Sequence, residues 1–142
     1  MKKHEKRLYQ ENSISQQLIL LYILGNTLFT ILHINNMNVD SGLGIFIMLN
    51  IFLSLFAFLM AVRQKVYAVQ WGYAGIALAL FQFVRLLWVP EEITGSLNIF
   101  LLILLVLTGI SAFAASIICI KRSQERQNFI VENNIDLVIL QK

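Results

Sequence analysis

The sequence predicts an all-α integral membrane protein, in which four transmembrane helices form a compact bundle and both termini face the cytoplasm. The chain is 58% hydrophobic and 13% charged, whereas a soluble domain averages about 25% charged residues. Its mean hydropathy is +0.71. The apolar residues fall into four runs, each close to the roughly 20 residues that a helix needs to cross a bilayer core.

The predicted division has a cytoplasmic segment on each side of a helical bundle. Residues 1–17 form the N-terminal segment, residues 18–120 the bundle, and residues 121–142 a tail with an apolar docking segment. The four spans are predicted at 18–34, 43–62, 66–89 and 97–120. The first span follows the basic stretch MKKHEKR, but it is longer than the ~7–15-residue apolar region of a signal peptide and no small-residue cleavage pattern follows it. We therefore predict a retained helix.

Basic residues predict the orientation of the bundle. Ten of the eleven Lys and Arg residues lie in the N-terminal segment, in the turn between the second and third spans, or in the tail. The other two loops, NNMNVDSG and PEEITGS, contain acidic residues and no basic ones. Because positive charge resists translocation, we expect both termini inside, in a bacterial cytoplasmic membrane.

The stretch FQFVRLLWVPEE places the eleventh base, Arg85, inside the third span. Pro90 should end this helix a few residues later, because proline lacks a backbone N–H. Three roles are open for Arg85. It can extend along lipid to the headgroups, pair with Glu91 or Glu92 in the adjacent loop, or belong to a ligand or ion site. We expect a structural role, with the guanidinium at the outer interface.

Other polar side chains occur within the spans, one at a depth similar to that of Arg85 and three nearer the middle of the membrane. Asn26, Asn50 and Gln82 lie on three different helices, and His33 lies toward the outer end of the first. Side chains of this kind need partners in hydrocarbon, so we expect them to face inward and to bond across helices. The predicted polar layer is Asn26, His33, Asn50, Gln82 and Arg85. It can act as structural glue or line a substrate path.

Small residues predict where the third and fourth helices pack together. Small side chains at four-residue spacing let two backbones approach closely where lipid supplies no hydrophobic driving force. The predicted packing positions are Ala68, Gly72, Gly75, Ala79, Gly109, Ala112 and Ser116. Most of them fall in the inner half of their spans, so we expect the closest contact toward the cytoplasm.

The sequence offers little support for catalysis. The spans carry no carboxylate, and we find no metal-spaced cluster, Ser/His/Asp set or glycine-rich phosphate loop. We therefore expect no enzyme activity, no cofactor and no metal. The basic residues form no stripe with interleaved aromatics, which argues against a nucleic-acid partner. The chain is similar in length to the small multidrug resistance transporters, but those depend on a glutamate in the first span, where this chain has no acid.

A small polytopic protein without its own chemistry acts through its helix faces and its tail. We expect an accessory, stabilising or regulatory subunit of a larger membrane complex, such as a bacterial transporter. Its expected partners are membrane lipids and another membrane protein, contacted through helix faces and residues 128–142. The alternative is a small homo-oligomeric transporter or channel that uses the polar layer.

Overall fold

The computed structural model describes residues 10–89 and 93–135, which form four α-helices, one short 3-10 segment and no strand. The α-helices are α1 (Ser13–Ile34), α2 (Ser41–Lys65), α3 (Val69–Val84) and α4 (Ser96–Glu132), and the 3-10 segment Arg85–Trp88 continues α3. With that segment counted as part of α3, all four are long and apolar enough to cross a membrane. The predicted all-α class is therefore confirmed over the described residues.

Three helices extend beyond the predicted spans, α2 by two or three residues at each end and α1 and α4 by more. α1 begins at Ser13 rather than at residue 18, and α4 continues to Glu132 rather than ending at residue 120. The extension of α4 runs through KRSQERQ, which contains good helix formers and neither Gly nor Pro. It is held by Ser123, whose Oγ donates to the carbonyl of Tyr67 at 3.0 Å. The first part of the predicted tail is thus helical, and residues 136–142 of the docking segment lie outside the described residues.

Local signals in the loops set several helix ends. The carboxylate of Asp40 accepts a hydrogen bond from the backbone N–H of Leu43 at 2.7 Å and so caps α2. Gly95 precedes α4 with φ 73°, a conformation that glycine adopts without a steric penalty. Val89 is extended, with ψ 123°, as expected of a residue that precedes proline. The third helix therefore ends where Pro90 predicts, although it tightens into a 3-10 segment four residues earlier.

α4 is the central helix of the bundle. It makes the most extensive contacts, with α3 and α1, whereas α2 packs mainly on α1 and meets α3 only briefly. One apolar cluster lies toward the end that carries the α2–α3 turn, which we call the turn end: Ile19, Tyr22, Ala57, Met60, Ala61, Leu78, Ala79, Ala112 and Ala115. A second cluster lies toward the opposite end: Phe29, Ile93, Leu101 and Leu105. Polar side chains occupy the level between the two clusters.

The small residues that the sequence singles out lie where α3 packs against α4. A Cβ atom built on Gly72 would lie 2.5 Å from Cγ1 of Ile120, and one built on Gly75 would overlap the hydroxyl of Ser116. Real Cβ atoms essentially never approach other atoms closer than 3.0 Å. Larger side chains at these two glycines would therefore force the helices apart.

The same interface continues toward the middle of the bundle. Ala79 and Ala112 are fully buried, and a Cβ atom on Gly109 would lie 2.9 Å from the ring of Phe83. Ala68 is the N-cap residue of α3. The close approach of the two helices thus begins at the turn end, which is the end predicted to face the cytoplasm, and extends as far as the polar level.

We expect Gly75→Leu to lower the stability of the bundle, because overpacking a closely packed site typically costs about 1–3 kcal/mol. Gly44→Leu is the matched control, since a Cβ atom there would meet nothing within 4 Å. Thermal unfolding in detergent, followed by size-exclusion chromatography, measures both variants. Equal melting temperatures for the two would contradict this packing.

Candidate functional site

Arg85 lies inside the bundle rather than at its surface. It is the first residue of the 3-10 segment that continues α3, and its exposed fraction is 5%. The expectation that its guanidinium extends to the outer interface is therefore wrong. The physical reason is that polar acceptors from neighbouring helices surround the guanidinium at this level. The predicted ion pair with Glu91 or Glu92 involves residues outside the described part of the chain.

The guanidinium donates to side-chain amide oxygens from three helices. Nη1 donates to Oδ1 of Asn26 on α1 at 2.8 Å and to Oε1 of Gln82 on α3 at 3.1 Å. Nη2 donates to Oδ1 of Asn50 on α2 at 2.9 Å. Asn26 and Gln82 are fully buried, and Asn50 is 2% exposed. Four of the five residues in the predicted polar layer thus form one hydrogen-bonded cluster.

Further hydrogen bonds orient these amides and connect them to the fourth helix. Nε2 of Gln82 donates to Oγ1 of Thr108 on α4 at 2.8 Å. Nδ2 of Asn50 donates to the carbonyl of Phe46 at 2.8 Å, and Nδ2 of Asn26 lies 3.4 Å from Oγ of Ser54. Each amide nitrogen therefore has a partner of its own, which leaves the amide oxygen directed at Arg85.

Aromatic rings flank the guanidinium toward the end opposite the turn end. Cζ of Arg85 lies 4.8 Å from the ring centroid of Phe29 and 5.9 Å from that of Phe46. The ring of His33 stacks on Phe46, with centroids 4.0 Å apart and planes 19° apart. His33 thus joins the predicted layer through ring stacking. Its Nδ1 is buried and has no hydrogen-bond partner among the described residues.

The three acceptors of Arg85 are neutral, so the hydrogen bonds themselves must offset the loss of water. Burial of an ion costs several kcal/mol after relaxation, and a hydrogen bond to a charged group contributes ~1.5–3 kcal/mol. The combined free energy of three such bonds is comparable to the cost of burying the guanidinium, so they can hold it inside the bundle. Two aromatic faces add attraction through their quadrupoles.

Sequence patterns missed several members of this site. Thr108 and Ser54 are hydroxyls within strongly apolar runs, and nothing local separates Thr108 from a surface position. A second polar contact was also missed at the turn end, where Oγ of Ser15 lies 2.7 Å from the carbonyl of Ala115 and 2.5 Å from Oε1 of Gln64. Four-residue spacing from Asn50 to Ser54 was the one available signal, because it puts both on one helix face.

A groove of about 450 Å³ between α1 and α2 adjoins the layer. Its lining includes four polar residues, Thr27, Thr30, Asn50 and Ser54, and the surface of the groove is mostly apolar. It opens on the outer surface of the bundle, where Leu55 is 61% exposed. Asn50 thus contacts Arg85 on one side and the groove on the other.

We expect Arg85→Lys to destabilise the bundle, because one ammonium cannot replace two separate Nη groups that serve Asn26 and Asn50. An acceptor left without its donor costs roughly 1–3 kcal/mol. Arg63→Lys is the matched control, since Arg63 is exposed. The melting temperature in detergent should fall for Arg85→Lys alone. An unchanged value would show that the amide cluster contributes little to stability.

Comparisons with known proteins do not assign a function to this site. No protein-family model matches the chain, no curated protein matches it, and no solved structure matches it. Within residues 10–89 and 93–135, no three His, Cys, Asp or Glu side chains group closely enough to hold a metal ion. The case for a function therefore depends on the cluster around Arg85 and on the surfaces that adjoin it.

Proposed function

We propose that this chain is an integral membrane protein that acts as an accessory, stabilising or regulatory subunit of a larger membrane complex, without catalytic chemistry of its own. Four helices of suitable length and hydropathy support insertion. The distribution of basic residues supports a bacterial cytoplasmic membrane with both termini inside. A bacterial transporter is one kind of complex that such a subunit could serve.

The observation that carries this proposal is the groove between α1 and α2. It places Ser54 beside Thr27 and Thr30 on a surface that is otherwise mostly apolar, whereas the amide of Asn50 behind it is occupied by Arg85 and by the carbonyl of Phe46. Lipid tails offer no hydrogen bonds, so polar atoms at this depth favour contact with another protein helix. Within the part of the chain that the structure describes, Oγ of Ser54 receives one long hydrogen bond, 3.4 Å from Asn26 Nδ2, so its own proton can serve an acceptor in the groove.

The interior of the bundle supports the same function. Arg85 and its three amide partners bond to one another, and Gln82 bonds to Thr108. Groups engaged in this way hold helices together, and they are not poised to bind a substrate. Contact with other molecules then falls to the outer faces, where bulky residues such as Phe52 (64% exposed) and Leu24 (68% exposed) are prominent.

The tail is the second proposed contact with a partner protein. Val131, at the end of α4, is 68% exposed, and the apolar sequence IDLVIL follows shortly after it. An apolar segment of this kind is a liability in water unless a protein or membrane surface covers it. We therefore keep residues 128–142 as a proposed docking segment.

The alternative function is a small homo-oligomeric transporter or channel that uses the polar layer. It is favoured by the positive charge of Arg85, whose described hydrogen-bond partners are all neutral. A transport path through this layer requires the amide cluster to open in each cycle. Purification of a defined homo-oligomer without any other protein would favour this alternative.

The proposed orientation predicts a labelling pattern with a membrane-impermeant maleimide on intact cells. In a Cys119→Ala background, Asn38→Cys and Thr94→Cys should label, because both positions are exposed in the loops assigned to the outside. Gln124→Cys should label only after the cells are permeabilised. The reverse pattern would overturn the orientation.

We expect Ile51→Trp to remove a co-purifying membrane protein, because Ile51 lines the groove and an indole there would fill it. Ile103→Trp is the matched control, since Ile103 on α4 is similarly exposed, 49% against 54% for Ile51. Affinity purification in mild detergent with mass spectrometry gives the ratio of partner to bait. Unchanged recovery with Ile51→Trp, at normal thermal stability, would show that the groove is not the interface.

A further inference from the structure

A second cavity lies at the turn end, between the α2–α3 turn and the extension of α4. Its volume is about 240 Å³. Tyr67, Ser123, Arg126 and Gln127 line it with polar atoms, and Val69, Ile130 and Val131 supply an apolar wall. The cavity therefore has a polar part that includes one cationic group and an apolar part beside it.

The chain builds this cavity around an unusual backbone conformation. Tyr67 has φ 63°, a left-handed value that is costly for a residue with a bulky side chain. Its carbonyl accepts from Oγ of Ser123 at 3.0 Å, and its hydroxyl donates to the carbonyl of Gln10 at 2.8 Å. Backbone strain of this kind persists only where the surroundings hold it, and it is typical of sites that contact ligands.

Arg126 is the charged group of the cavity. Its guanidinium carbon lies 5.2 Å from the ring centroid of Tyr67, an arrangement that holds the side chain against the cavity wall. Its Nε is buried and has no hydrogen-bond partner within the described residues, so this atom is not exposed to the cavity. Because the Arg126 side chain lines the cavity, the site favours a ligand with negative charge and with acceptor oxygens for the guanidinium.

The position of Arg126 along α4 suggests where that oxygen comes from. Arg126 follows Ile120, the last residue of the fourth predicted span, by six residues, which corresponds to about 9 Å along a helix. Headgroups occupy the zone directly beyond the hydrocarbon core of about 30 Å. If the predicted spans mark the hydrocarbon core, the cavity opens at the level of lipid phosphates.

We propose that this cavity binds the phosphate-bearing headgroup of an anionic phospholipid. Arg126 would hold the phosphate, because guanidinium groups bind phosphate oxygens with charge-assisted hydrogen bonds. Gln127 also lines the cavity, and its side-chain amide can donate to a further headgroup oxygen. The inference rests on the proposed insertion into a membrane, and it is independent of the proposed partner protein.

Native mass spectrometry of the detergent-purified full chain tests this site. The probes are phosphatidylglycerol, phosphatidylcholine and inorganic phosphate, each added in increasing amounts. We expect preferential retention of phosphatidylglycerol, and Arg126→Gln should weaken it about tenfold or more, because it removes the charged group that holds the phosphate. Lys121→Gln is the matched control, because it removes one positive charge from the same helix at an exposed position.

Three outcomes would overturn the assignment. Equal weakening by Arg126→Gln and Lys121→Gln would indicate general attraction to a basic surface. Retention of inorganic phosphate as strong as that of phosphatidylglycerol would indicate a site for free anions. Equal retention of phosphatidylcholine and phosphatidylglycerol would remove the requirement for a net negative charge.

A second variant tests the site independently in case Arg126→Gln folds poorly. Val131→Trp should fill the cavity and weaken lipid retention while the charge of Arg126 stays in place, and unchanged retention would count against the site. None of these outcomes bears on Ile51→Trp, which tests partner binding at a different face. Failure of the lipid site and failure of the accessory role can therefore be distinguished.

Discussion

The burial of one guanidinium is the constraint on which the rest of the bundle depends. A charge in the interior is stable only while acceptors stay within hydrogen-bond distance, about 3 Å. For Arg85 these acceptors come from Asn26, Asn50 and Gln82 on three helices, and Thr108 brings in the fourth. The positions of all four helices along the bundle axis are therefore coupled. This coupling matters most for α2, which meets α3 only briefly and reaches Arg85 through Asn50.

Apolar packing alone would leave these axial positions of the helices poorly determined. In a membrane, a side chain gains little by moving from lipid to another apolar environment, so helix association depends on close packing and on hydrogen bonds. The small residues of α3 and α4 supply the close packing, as the contacts at Gly72 and Gly75 demonstrate. Such contacts are tolerant of small shifts along the helix axis, whereas directional bonds to a planar guanidinium are not. Packing brings the helices together, and the arginine layer sets how they align.

The contrast between the hydrogen-bonded interior of the bundle and its exposed surfaces supports the proposed function. Arg85 and the amides of Asn26, Asn50 and Gln82 are engaged with one another inside the bundle, so the proposed contacts with other molecules fall on its surfaces. Its distinctive surfaces are the groove between α1 and α2 and the cavity beside Tyr67. One is proposed to contact a protein helix and the other a lipid headgroup. A small subunit that joins a larger complex within a bilayer needs surfaces of both kinds.

The sequence by itself determined the helical class, the approximate spans and the residues Asn26, Asn50, Gln82 and Arg85 as ones that need polar partners, because hydropathy and the need of polar groups for partners are local properties. It did not determine whether Arg85 turns outward or inward. An arginine stem is long enough for either direction, and the choice depends on amides from helices distant in sequence. The continuation of α4 past residue 120 likewise depends on tertiary contact, at Ser123 and Tyr67. The groove and the cavity were decided by the tertiary structure alone, since each exists only between helices whose relative positions no local pattern specifies.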